Sequence, residues 1–145
     1  MSIGIRTIYR ITANVVVNAS ATLVTTGLTS PIAAGQRQKI RVWMPFTVGA
    51  TGGVRMQVVC PAAITSIITT IKVFDTVTPA LITAIQTTST AFTNALAVAG
   101  THWMEVESFI ENGVNAGSVD IQVACNTAAN AFTALKNSTM DVVVL

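Results

Sequence analysis

A period of two runs through most of this chain, and it constrains the fold more than any other feature. In Lys39–Phe46, Ile40, Val42, Met44 and Phe46 share one face, and Lys39, Arg41 and Trp43 share the other. Side chains alternate in this way on a strand and not on a helix. Val54–Val58 repeats the pattern after Gly52-Gly53. Met104, Val106, Ser108 and Ile110 lie opposite Trp103, Glu105, Glu107 and Phe109, and Val119, Ile121, Val123 and Cys125 lie opposite Asp120, Gln122 and Ala124. Less regular strands are expected at Arg6–Ile11, Asn14–Asn18, Leu23–Leu28, Ile67–Phe74 and Leu81–Thr87. The closing Met140–Leu145 reads as a buried last strand. The 22 Thr and 8 Ser fit the same picture, because β-branched threonine favours strands.

The punctuation is that of antiparallel sheets. Val48–Gly53 turns between two strands and Glu111–Gly117 between two more, with Asn112-Gly113 as a local turn signal. Ala91–Val98 is expected to form one helical turn or two, stopped by Gly100. Thr127–Asn137 reads as the longest loop. Many short strands with glycine-marked turns predict an all-β fold with little helix: an antiparallel jelly-roll sandwich of about eight to ten strands. An immunoglobulin-like sandwich is the alternative, but the Cys…Trp…Cys arrangement is absent.

The surface this chain can show to water is unusual. Only 10% of its residues are charged, against 51% hydrophobic. High apolar content with a net charge of +2 excludes disorder. No segment approaches the roughly 20 apolar residues of a membrane span, and the N-terminus reads as a mature start without a signal peptide. So sparse a charge predicts that other subunits cover part of the surface. The charges also segregate. Residues 1–72 hold Arg6, Arg10, Arg37, Lys39, Arg41, Arg55 and Lys72 and no acid; residues 73–145 hold all six acids and only Lys136. Early and late strands should therefore meet as oppositely charged cross-strand pairs, within one sheet system or across a subunit interface. Nucleic acid is not an expected partner, since the basic residues are scattered and no aromatics interleave with them.

Little in the sequence points to chemistry. His102 is the single histidine, and it has no ligand spacing to Cys60 or Cys125. No G-x-S-x-G elbow supports a triad of a serine, His102 and Asp120. Glu105 and Glu107 share a strand face about 7 Å apart, which suits salt partners for Arg or Lys better than paired catalysis or calcium. The two cysteines read as buried, reduced thiols. No cofactor, metal or catalytic residue is expected. Trp43 and Trp103 stand on the polar side of their strands, where Trp favours subunit contacts. Arg41, Trp43, Trp103, Glu105 and Glu107 are the candidate subunit-contact residues.

Gly100–Thr127 (GTHWMEVESFIENGVNAGSVDIQVACNT), followed by MDVVVL, resembles the C-terminal half of a jelly-roll module of tailed-bacteriophage structural proteins. AAGQRQKIRVWMPFTVGATGGVRMQVV resembles the first long hairpin of that module. The resemblance covers most of residues 22–145. It implies a tumour-necrosis-factor-like homotrimer in the virion, made in the host cytoplasm. About 20 residues precede the module, with no long shaft. That favours a capsid decoration, or cement, protein bound to the major capsid protein over a receptor-binding fibre tip. Residues 1–20 are read as an N-terminal arm and residues 21–145 as the single jelly-roll domain. The alternating Ile5, Arg6, Ile8, Tyr9 and Arg10 are the candidate capsid contact, expected to be loose in the free protein and ordered on the partner.

Overall fold

The computed structural model describes residues 4–18, 20–49, 52–76, 80–95 and 99–145. Among them are twelve strands and no helix: β1 (Arg6–Arg10), β2 (Val15–Val17), β3 (Val24–Ile32), β4 (Arg37–Val48), β5 (Gly53–Val59), β6 (Ser66–Asp75), β7 (Ala80–Gln86), β8 (Phe92–Ala95), β9 (Gly100–Glu111), β10 (Gly117–Cys125), β11 (Phe132–Ala134) and β12 (Thr139–Val144).

One rule organises their pairing. The first strand pairs with the last, the second with the second-last, and so on inward: β1 with β12, β2 with β11, β3 with β10, β4 with β9, β5 with β8 and β6 with β7, all antiparallel. The chain is a single long hairpin rolled onto itself, which is how a jelly roll is built. Rolling adds the contacts β12–β4, β11–β4, β10–β5 and β6–β9 and splits the hairpin into two sheets. The larger runs β1-β12-β4-β9-β6-β7, with β11 and β2 continuing the β12–β1 side, and the smaller runs β3-β10-β5-β8.

The alternating faces close on each other as the sequence predicts. Ile40, Val42, Met44 and Phe46 of β4, Met104 and Val106 of β9, and Val119, Ile121 and Val123 of β10 have no exposed surface. Phe46 stacks on Phe132 with ring centroids 5.0 Å apart, so the short β11 is anchored by an aromatic pair. β12 lies inside the larger sheet between β1 and β4, with Met140 and Val142 pointing into the core.

The structure departs from the sequence reading in four places. Phe92–Ala95, expected as a helical turn, is β8 on the edge of the smaller sheet; residues 96–98 lie outside the described residues. The expected loop Thr127–Asn137 contains β11. The segment expected to be a free arm holds two strands of the larger sheet, with β1 in register from Arg6 opposite Val143 to Arg10 opposite Thr139. Finally, β4 and β5 are not a hairpin, nor are β9 and β10. Each connection crosses from one sheet to the other.

The second of these crossings explains Gly113. The Asn112 amide donates to the Ala33 and Asn115 carbonyl oxygens at 2.8 and 2.7 Å. Gly35 N–H donates to the Gly113 carbonyl at 2.8 Å. These bonds pin the β3–β4 and β9–β10 loops together at one end of the sandwich, and the Asn115 amide ties in the β5–β6 loop by donating to the Ala62 carbonyl oxygen at 3.0 Å. A Cβ on Gly113 would sit 1.9 Å from the Ala63 carbonyl oxygen. The glycine is required by close approach of backbone, not by turn geometry. Gly113→Ala should therefore cost about 2 kcal/mol or more, read as a lowered denaturant midpoint.

Candidate functional site

The outward residues of the larger sheet form one continuous surface. β4 contributes Lys39, Arg41 and Trp43, and β9 contributes Trp103, Glu105, Glu107 and Phe109. On one side β6 and β7 add Ile68, Thr70, Lys72, Leu81, Thr83 and Ile85. On the other, β12 and β1 add Asp141, Val143, Arg6, Ile8 and Arg10. The register aligns these in rows across the sheet: Asp141–Arg41–Glu107–Thr70, then Trp43–Glu105–Lys72–Thr83.

Charge pairs run down the middle of this face. Arg41 Nη2 donates to Glu107 Oε2 at 2.8 Å, Lys39 Nζ lies 3.2 Å from the same oxygen, and Arg41 Nε is 4.0 Å from Glu105 Oε1. Arg6 grips Asp141 with Nε and Nη2, the closest approach being 2.7 Å. Arg37 pairs with Glu111 at 2.8 Å. The split between basic early and acidic late residues is thus resolved within one chain, by strands far apart in sequence. The hydrogen bond from Arg41, helped by Lys39, holds the Glu107 carboxyl below its ordinary value; Arg41 and Arg6 are raised by hydrogen bonds to Glu107 and Asp141.

A carboxyl depressed in the folded state stabilises the fold above its unfolded pKa, and that contribution disappears as pH falls through the folded value. Acidification below about pH 4.3 should therefore weaken the protein. Glu107→Gln should remove part of that dependence, by under about 1 kcal/mol because the pair is partly solvated. Urea midpoints at pH 6 and pH 3 measure it.

Apolar side chains flank the charges. Trp43 remains 39% exposed and meets Trp103 edge-on at 5.6 Å. Phe109 is 44% exposed, with Lys39 Nζ 4.9 Å from its ring centroid. Ile68, Phe109 and Leu145 line a shallow hollow of about 190 Å³. The structure thus brings Arg41, Trp43, Trp103, Glu105 and Glu107 together on one face. Of the five N-terminal residues, Ile5, Arg6, Ile8 and Arg10 are exposed. Tyr9 is different: it stands opposite Met140, turns inward and packs against the core.

Chemistry-bearing groups lie elsewhere. His102 is buried beside Phe46, with Nδ1 3.3 Å from Asp75 Oδ1. The sequence reading missed this pair. Its signal was the alternation of β6, which carries Asp75 onto the inward face after Ile67, Thr69, Ile71 and Val73. Thr69 and Ser108 likewise join hydroxyls in the interior. Asp120 sits on the smaller sheet, apart from His102 and the two glutamates, and accepts from Thr25, Thr29 and Gln122. Cys60 and Cys125 are both free. Cys125 is buried, whereas Cys60 is half-buried, its thiol pushed up to about 11 by desolvation. Among the described residues no group of three His, Cys, Asp or Glu converges as metal ligands, and no helix is long and apolar enough to cross a membrane.

No protein-family model matches the chain, and no curated protein sequence matches it. Among solved structures it is similar to the structure of the infectious bursal disease virus Gx strain, at 12% identity over 96% of this chain and 40% of that one. The TM-score is 0.24, and nothing about fold or role is drawn from that likeness. The jelly roll stands on this chain's own strand pairing.

Proposed function

We propose that this chain is a non-enzymatic structural protein of a virion: a capsid decoration subunit that acts as a homotrimer and binds the assembled shell. The observation that carries this reading is the outer face of the larger sheet. Trp43, Phe109, Ile68 and Ile8 remain exposed there around a ladder of satisfied ion pairs. A face whose central charges, Arg41, Lys39 and Glu107, are already matched and whose aromatics are not covered suits burial against another copy. The likeness of Gly100–Thr127 to phage structural modules supplies the setting.

In this reading the protein binds the shell but not its dissociated parts, and so stabilises the shell by mass action. Three attachment points per trimer multiply weak contacts through effective concentration. Attachment runs along β1, whose outer edge pairs with no strand among the described residues. Ile5, Ile8 and Arg10 are exposed beside that edge, and Arg10 makes no ion pair among the described residues. The edge can accept a strand of the major capsid protein.

Co-sedimentation with capsids built from the coat protein of the same virus tests the proposal. The wild-type chain should pellet with particles and be released as salt rises. Ile8→Thr with Arg10→Glu should lower the bound fraction at least tenfold and leave the far-ultraviolet spectrum unchanged. A wild-type chain that stays in the supernatant at all salt concentrations would overturn the proposal.

A further inference from the structure

A sheet edge presents unpaired N–H and C=O groups, and proteins that stay apart protect such edges with charge, proline, irregular backbone or short length. Among the described residues, four edges of this sandwich carry such protection. β1 has Arg6 and Arg10, which oppose pairing with a second copy of itself and leave that edge to a strand of opposite charge. β2 has three residues and β8 has four. β3 contains Pro31 and a glycine at φ +82°, Gly27. β7 is the exception. It has seven residues, ALITAIQ, with no charge and no proline, and it ends the larger sheet. Its outward Leu81 and Ile85 are 56% and 71% exposed.

The same strand is complementary to itself. A two-fold axis through Thr83 sets Thr83 opposite Thr83 of a second copy in an antiparallel pair. Leu81 then faces Ile85 of that copy, and Ile85 faces Leu81. Ile82 faces Ala84 on the other side. Apart from Gln86, which falls opposite Ala80 at each end, the cross-strand neighbours are apolar or Thr–Thr, the pairings that stabilise antiparallel ladders, and no like charges meet. An isologous contact of this kind closes on itself.

We propose that β7 pairs with β7 of a second copy, joining two larger sheets into one across a two-fold axis. This contact uses a sheet edge, not the Trp43 face, and stands whether or not the chain decorates a capsid. Combined with a three-fold contact through the Trp43 face, it would link trimers in pairs.

Two variants test it. Thr83→Cys places thiols across the axis, where the Cα separation of about 4.5–5.5 Å in an antiparallel pair lies within disulfide reach. Mild oxidation should give a covalent dimer at low micromolar concentration, while Thr93→Cys, equally exposed on β8, should give none. Leu81→Lys with Ile85→Lys sets lysines opposite lysines across the axis at two exposed positions. It should halve the solution mass and leave the melting curve near wild type. The proposal is overturned if Thr83→Cys cross-links no better than Thr93→Cys and the double lysine variant keeps the wild-type mass. A cross-linked dimer in a chain that never reaches three copies would support β7 pairing and contradict the trimer.

Discussion

Val142→Asp should leave the chain unfolded at room temperature, and Val143→Asp should not. Val142 is 3% exposed, sits opposite Ile40, and points into the core from a strand flanked on both sides. A carboxylate there is desolvated with no cation facing it, a cost of several kcal/mol against a total stability of about 5–15 kcal/mol. Val143 points the other way. Its cross-strand neighbours are Lys39 on β4 and Arg6 on β1, so a carboxylate there meets two cations. Circular dichroism melts of the two variants separate the cases. Equal loss of folding in both would mean that β12 is not oriented as described.

Phe46→Ala should cost about 3–5 kcal/mol and lower Tm by roughly 10–15 °C. Phe46 has no exposed surface, stacks on Phe132 and has the His102 ring centroid 5.6 Å from its own. The truncation leaves a hole where β4 and β11 meet. β11 has only three residues, so its ladder has little to hold it once the ring is gone. Hydrogen exchange should rise first in Phe132–Ala134. A change in Tm below 3 °C would show that the site collapses around the smaller side chain.

How much of this was readable beforehand follows the strength of the alternation. In β4, β9 and β10 one face is apolar apart from Gln38, His102 and Ser108, so inward and outward residues could be named from the sequence, and an Arg or Lys partner for Glu107 follows from that plus the charge split. β7 resists such reading: Leu81, Ile82, Ala84 and Ile85 put apolar residues on both faces, and a two-faced strand does not declare its register. β8 and β11 are too short for periodicity to register, and they are held by neighbours remote in sequence. The crossing of β4 to β5 and β9 to β10 between sheets was hidden because a glycine-marked turn looks alike whether it closes a hairpin or spans a sandwich. Asp75, His102, Thr69 and Ser108 lie at inward positions filled by polar residue types, where residue identity argued one way and register the other. The N-terminal segment was set apart because it precedes the stretch that resembles the phage module and carries two Arg with no acid near them in sequence. Its partner, Asp141, is 135 residues away.

The mass of the purified chain in solution at micromolar concentration tests the assembly role most directly. Light scattering should give a multiple of three chains: near three times 15.1 kDa, or twice that where β7 edges also pair. A mass of one chain or of two would contradict the trimer and leave the exposed Trp43 face without the partner on which the account depends.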